Sequence, residues 1–194
     1  ELAQHPKVVA IGECGLDFFR NQEARNSKHE IRDKQSELFK KQIELALKLD
    51  KPLMIHCRDA HDEVIEILKA RLAVGQAESC GLKDKLRGNI HFFSGTWEQA
   101  QKYFELGFTI SFAGPVSLPP QSDETIKNVP MHKIIIETRA TRAAPTPYRG
   151  KRNEPAYVAE VAKIIAEMKG MTIEEVLRTT TANAMKLFLG RDSF

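Results

Sequence analysis

The stretch Pro52 to Ala60 constrains the fold more than any other, because an apolar run passes without a break into a cluster of chemically active side chains. Leu53, Met54 and Ile55 follow a proline, and His56, Cys57, Arg58 and Asp59 come directly after them. In a parallel sheet covered by helices, apolar runs are buried, and residues just past the carboxyl end of a strand face the ligand. Asp59 is then placed to cap a helix over about 60–72, its carboxylate accepting an orphan backbone N–H.

The same arrangement recurs along the chain. Val8 to Ile11 lead into Gly12 and Glu13, Asn89 and Ile90 lead into His91, and Lys133 to Ile136 lead into Glu137, Thr138 and Arg139. The polar positions lie about 35 to 45 residues apart, a little over one strand-plus-helix unit of a (β/α) barrel. Glu13, His56 and His91 are all of residue types that bind metal ions.

Between these strands the apolar positions fall at helical spacing. Leu38, Phe39, Ile43, Ala46, Leu47 and Leu49 predict a helix over about 34–50, ahead of Pro52. Arg20 to Asp33 reads as a polar loop on the catalytic face, and Arg71 to Gly88 as a mobile excursion without periodicity. Thr96 and Gln99 form a capping box for a helix that closes at Gly107. Phe108 to Phe112 is a further strand, and a short helix over about 123–128 precedes the last one. Asn153 is placed to cap a helix with Pro155 in its first turn; Val158, Val161, Ala162, Ile165 and Met168 form its apolar face and Gly170 stops it. Thr172 and Glu175 make a second capping box, and a final helix over about 182–189 ends at Gly190.

With 194 residues, 42% of them hydrophobic and 28% charged, the chain has enough apolar material for one substantial core, and a single domain over 1–194 is expected. The formal charge of +3 is too small to argue for nucleic acid by itself, although Arg149, Lys151 and Arg152 form a local basic patch. Cys14, Cys57 and Cys80 are odd in number and lack the spacing of a metal finger, so reduced thiols are expected. No apolar stretch approaches the length that spans a bilayer, and the start shows no charged segment followed by an apolar one. These features place the protein in the cytoplasm.

Six motifs in order carry a resemblance. They are Gly12-Glu13-Cys14-Gly15-Leu16-Asp17, Ile55 to Ala60, His91-Phe92-Phe93-Ser94-Gly95, Ile136-Glu137-Thr138, Arg149 to Pro155, and Thr180-Thr181-Ala182-Asn183. Together they resemble the TatD family of metal-dependent hydrolases, which are TIM-barrel nucleases and phosphodiesterases. The resemblance implies an α/β fold of TIM type and hydrolysis of phosphodiester bonds in DNA, possible also in RNA. It implies one or two divalent metal ions (Mg, Mn or Zn) as cofactors, nucleic acid as substrate, and no membrane partner. Glu13 matches the family's bridging carboxylate, and His56 and His91 match imidazole ligands; these three are the candidate catalytic and metal-binding residues. Such barrels usually need about 250 residues. The His-x-His pair of the family's first strand has no counterpart here, so the barrel is expected to be incomplete at its N-terminal end.

Metal-assisted phosphodiester hydrolysis needs ligands of this kind, and the developing phosphate charge needs cations. Arg58, Arg149 and Arg152 are the candidate substrate-binding residues, since arginine offers a planar fork to phosphate oxygens. Phe18, Phe19 and Trp97 are either core residues or stacking partners for a base. Asp17 and Asp59 are candidate partners for the ligand histidines. His61 belongs to the helix after His56.

The resemblance breaks at Arg139. The family carries an Asp there, a metal ligand and candidate base, whereas a guanidinium can neither bind a cation nor accept a proton. Three readings follow: an inactive relative in which Arg139 and Arg142 grip phosphate, an introduced or misassigned stretch, or a site that keeps one ion on Glu13, His56 and His91. The second is preferred, because three positions change within four residues while the flanks match. Two other functions remain open: a metal-dependent amide or ester hydrolase of the same barrel type, and a catalytically dead relative that binds anions or nucleic acid.

Overall fold

The computed structural model describes residues 1–19, 28–77, 86–114 and 121–190. Strands and helices alternate through them. Strands β1 (Ile11–Asp17), β2 (Leu53–Arg58) and β3 (Gly88–His91) are followed by β4 (Thr109–Phe112) and β5 (Ile134–Ile136). The helices are α1 (Lys28–Leu49), α2 (His61–Ala77), α3 (Trp97–Glu105), α4 (Gln121–Asn128), α5 (Val158–Lys169) and α6 (Ile173–Leu189). This alternation is that of an incomplete TIM-type α/β barrel. The chain packs as two compact units, one of Glu1–His91 with Lys102–Phe108, the other of Phe92–Gln101 with Thr109–Phe194.

In the first unit β1, β2 and β3 are parallel neighbours in chain order. The β2 side chains alternate strictly: Leu53, Ile55 and Cys57 are buried, while Met54, His56 and Arg58 are half-buried on the opposite face. Helix α1 packs against β1 and buries Phe39, Ile43 and Ala46 almost fully, whereas Leu38, expected in the same stripe, is 58% exposed. Helix α2 buries Val64, Ile65 and Leu68. Burying such a side chain contributes about 1.5–3 kcal/mol.

Strand β1 departs from the expected position. The apolar run Val8 to Ile11 is not its body; the strand begins at Ile11, and Val9 is 39% exposed. The β2 partners decide this. Ile11 lies opposite Leu53 and Cys14 opposite Ile55, so β1 spends three residue steps where β2 spends two. Such a bulge re-aims a side chain at a strand edge or active site. Here it lets Ile11 and Cys14 both face the core while Gly12 and Glu13 between them stay exposed.

Helix α1 also starts earlier than expected. Lys28 to Asp33 belong to it, although only Ile31 there is apolar, because the turn is solvated and carries the Glu30–Lys34 pair at 2.6 Å. Residues 20–27, the rest of the expected loop, lie outside the described residues, as do 78–85 with Cys80. The remainder of the expected excursion after Arg71 continues α2 to Ala77. Helix α2 begins at His61, so Ala60 is its N-cap, and Asp59 stands one residue earlier in the left-handed region at φ 53°.

The second unit pairs β4 and β5 in parallel, Ile110 against Ile134 and Phe112 against Ile136. The Thr96–Gln99 capping box forms, with Gln99 N–H donating to Thr96 Oγ1 at 3.3 Å and Thr96 N–H to Gln99 Oε1 at 3.1 Å. The Thr172–Glu175 box forms too, but it opens a single helix that runs to Leu189 rather than a separate one over 182–189. Thr180 survives inside it by donating to Val176 O at 2.9 Å. Gly170 and Gly190 end α5 and α6, both at φ 63°.

Asn153 caps no helix. A 3-10 turn over Pro155–Tyr157 precedes α5, and Asn153, 2% exposed, donates to Arg142 O at 2.7 Å instead. It ties the segment after β5 to the segment before α5. No helix among the described residues is long and apolar enough to cross a membrane.

Candidate metal centre

His56 and His91 stand opposite each other in the β2–β3 ladder, so the pleat sends both imidazoles to one face, with ring centroids 5.6 Å apart. The β1 bulge brings Glu13 to the same place. Its Oε1 lies 3.1 Å from His56 Nδ1 and 2.7 Å from His91 Nε2. One oxygen and two nitrogens, all within 4.8 Å of one another, make a group able to hold a metal ion. His91 ends its strand as expected, whereas Glu13 and His56 lie inside theirs, because β1 runs on to Asp17 and β2 to Arg58.

Two glycines make this closeness possible. A Cβ on Gly12 would stand 2.6 Å from Met54 Cβ. One on Gly15, opposite His56 in the ladder and at φ 120°, would stand 2.1 Å from His56 O. Only glycine allows that approach at that φ.

The donor chemistry fits a cation. Asp17 Oδ2 lies 3.2 Å from His56 Nε2, a distance at which a proton on Nε2 would be donated to the carboxylate. In that tautomer the Nδ1 lone pair would face Glu13 Oε1 at 3.1 Å, one acceptor against another. A divalent ion relieves that opposition, and a carboxylate hydrogen-bonded to the far nitrogen is the usual partner of a metal-ligating histidine.

The other expected site residues spread more widely. Arg58 shares the exposed face of β2 with His56, and its guanidinium lies 3.5 Å from the centroid of the Phe19 ring. Phe18 is 3% exposed and belongs to the core, Phe19 is 48% exposed, and Trp97 is half-buried. His5, His29 and His132 are exposed on the surface. Arg149 and Arg152 are exposed in the second unit. In that unit Arg139 stacks over Phe92 at 4.5 Å, and Glu137 accepts from Phe92 N–H at 2.7 Å and from the Ser111 hydroxyl.

Behind β2 is a buried polar cluster. Tyr103 hydroxyl lies 3.2 Å from His61 Nδ1 and 3.9 Å from Cys57 Sγ. Burial holds the His61 imidazole well down, to about 4, and pushes the Cys57 thiol up to about 12. Cys14 is likewise pushed up to about 12, by burial and then by the neighbouring Glu13 charge. Both thiols are free and inert.

Sequence reasoning missed Gln35. Its carboxamide accepts from Asp17 N–H at 2.9 Å and donates to Asp17 O at 3.1 Å. It sits in a run of polar residues, Arg32 to Glu37, and its partner is main chain 18 residues away, so nothing local marks it.

The chain is similar to known proteins. A sequence profile described as TatD related DNase matches residues 1–189. The chain is 42% identical over 190 residues to an uncharacterized metal-dependent hydrolase of Bacillus subtilis, YabD, covering 97% of this chain and 68% of that one. It is 35% identical over 195 residues to the 3'-5' ssDNA/RNA exonuclease TatD of Citrobacter rodentium, covering 96% and 67%. The crystal structure of YjjV, a TatD homologue from Escherichia coli, superposes with a TM-score of 0.79 at 27% identity, over 95% of this chain and 65% of that one. The chain thus spans about two thirds of the length of the relatives it matches. With a matching profile along nearly its whole length and a carboxylate–diimidazole cluster on adjacent strands, the chain belongs to the TatD-related DNase family of metal-dependent hydrolases.

Proposed function

We propose that this chain acts as a nuclease that hydrolyses phosphodiester bonds of DNA, with RNA as the alternative substrate, using a divalent ion held by Glu13, His56 and His91. The observation that carries the reading is the single Glu13 oxygen set 3.1 and 2.7 Å from two imidazole nitrogens. Support for the substrate comes from a Citrobacter relative whose name specifies single-stranded DNA and RNA.

A divalent ion at such a site, Mg, Mn or Zn, supplies Lewis-acid polarisation of a phosphoryl oxygen and a more acidic water. The chain's own residues do the rest. Glu13, His56 and His91 offer three donors, the usual number for a catalytic site with open positions. Asp17 fixes the orientation of His56. Arg58, two residues beyond His56 on the same face of β2, is the residue proposed to contact phosphate, and Arg149 and Arg152 remain the other proposed substrate-binding residues. Arg139 supplies no lone pair, so neither metal binding nor proton abstraction falls to it.

The test is release of nucleotides from end-labelled single-stranded DNA by the full-length protein. Activity lost with a chelator and regained with Mg²⁺, Mn²⁺ or Zn²⁺ supports the reading. Metal-dependent turnover of a cyclic amide or ester panel with DNA left intact would replace it with a different hydrolase. Salt-sensitive DNA binding indifferent to chelator, without cleavage, would replace it with an anion-binding relative.

A further inference from the structure

We propose that Gln35 is a positioning residue for the metal centre, acting on His56 through Asp17; this rests on the reading of Glu13, His56 and His91 as ligands. Gln35 lies on α1 four residues before Phe39 and eight before Ile43, in line with the stripe that packs against the sheet. A polar side chain facing inward there must find partners. It finds both main-chain groups of one residue, accepting from Asp17 N–H and donating to Asp17 O.

That leaves Asp17 no freedom. Among the described residues β1 pairs with β2 alone, and Gln35 stands in for the peptide of a neighbouring strand at the last residue of β1. Asp17 Oδ1 accepts from Phe19 N–H at 3.0 Å, which leaves Oδ2 for His56 Nε2 at 3.2 Å. All four polar groups of Asp17 are engaged, so the carboxylate meets the imidazole in one arrangement. The 3.1 Å approach of His56 Nδ1 to Glu13 is set from the other side of the same ring. A helix thereby reaches the metal ligand through two hydrogen-bonded links.

The experiment compares wild type with Gln35→Met, Asp17→Asn and the double variant in the full-length protein. Co²⁺ affinity is read from the absorption of the bound ion, and metal-free stability from urea unfolding. Partners of this kind typically alter metal affinity about 10- to 100-fold. Asp17→Asn, which alters the direct partner of His56, is expected to weaken Co²⁺ binding ~10-fold or more, Gln35→Met to weaken it measurably but by less, and the double variant to bind no more weakly than Asp17→Asn alone. Gln35→Glu, which keeps the acceptor and removes the donor, should fall between wild type and Gln35→Met, and it serves if the methionine variant does not fold. A lower urea midpoint with unchanged Co²⁺ affinity would overturn the proposal, since that is the signature of a purely structural brace. Additive losses in the double variant would overturn the route through Asp17. Absence of Co²⁺ binding by wild type would instead overturn the metal reading on which the proposal stands.

Discussion

Replacing Gly15 with alanine is expected to damage the first unit and its site together. The new Cβ would stand 2.1 Å from the carbonyl oxygen of His56, in a backbone at φ 120°. A carbon and a carbonyl oxygen rest at roughly 3.3 Å, so about 1.2 Å of overlap must be relieved. The opposing atom is main chain and cannot swing aside. Holding a non-glycine residue in this region costs on the order of 1–3 kcal/mol. Parting β1 from β2 adds roughly 1 kcal/mol for each ladder hydrogen bond lost. A loss of about 3–5 kcal/mol is therefore expected, a large share of the roughly 5–15 kcal/mol that holds a typical domain. Urea unfolding followed by circular dichroism reads it. Gly170→Ala is the control: its φ of 63° is also left-handed, but nothing lies within 4 Å of the added Cβ, so about 1 kcal/mol is expected. If Gly15→Ala unfolds within about 1 kcal/mol of wild type, the close β1–β2 approach is not a requirement of the fold.

Two further predictions concern buried polar groups. His61 titrates at about 4 in the folded protein against an ordinary value of 6.5, so the unfolded chain takes up the proton first. Stability is then full above about pH 6.5 and falls as the pH drops toward 4, by up to about 3 kcal/mol. Urea midpoints measured from pH 7 to 4.5 should show a steeper loss for wild type than for His61→Gln, and equal slopes would refute the assignment. Asn153→Ala should cost about 1–3 kcal/mol through the lost tie to Arg142 O, and proteolysis should then cut more readily between residues 139 and 153; unchanged cleavage would argue against the tie.

The parts of the fold legible in the sequence were those set by local chemistry. The two capping boxes, at Thr96 and Thr172, and the glycine stops at Gly170 and Gly190 depend on neighbours a few residues away, and all four form where the residues suggest. Glu13, His56 and His91 stood out because each interrupts an apolar run with a metal-binding residue type, and the structure brings all three together. What could not be read depends on distant partners. The β1 bulge follows from the register against β2, so Val8 to Ile11 looked like a strand that in fact starts at their last residue. Three consecutive threonines obscured α6, since low helix propensity hides the back-bond from Thr180 to Val176. Gln35 and Asn153 bond to distant main chain, which leaves no periodic trace in the sequence.

Whether Glu13, His56 and His91 share one ion is asked most directly by anomalous X-ray scattering from crystals of the full-length protein grown with Zn²⁺ or Mn²⁺. The predicted result is an anomalous peak about 2.0–2.2 Å from a Glu13 oxygen, His56 Nδ1 and His91 Nε2 together. A peak bound elsewhere, with these three side chains contacting only one another, would contradict it.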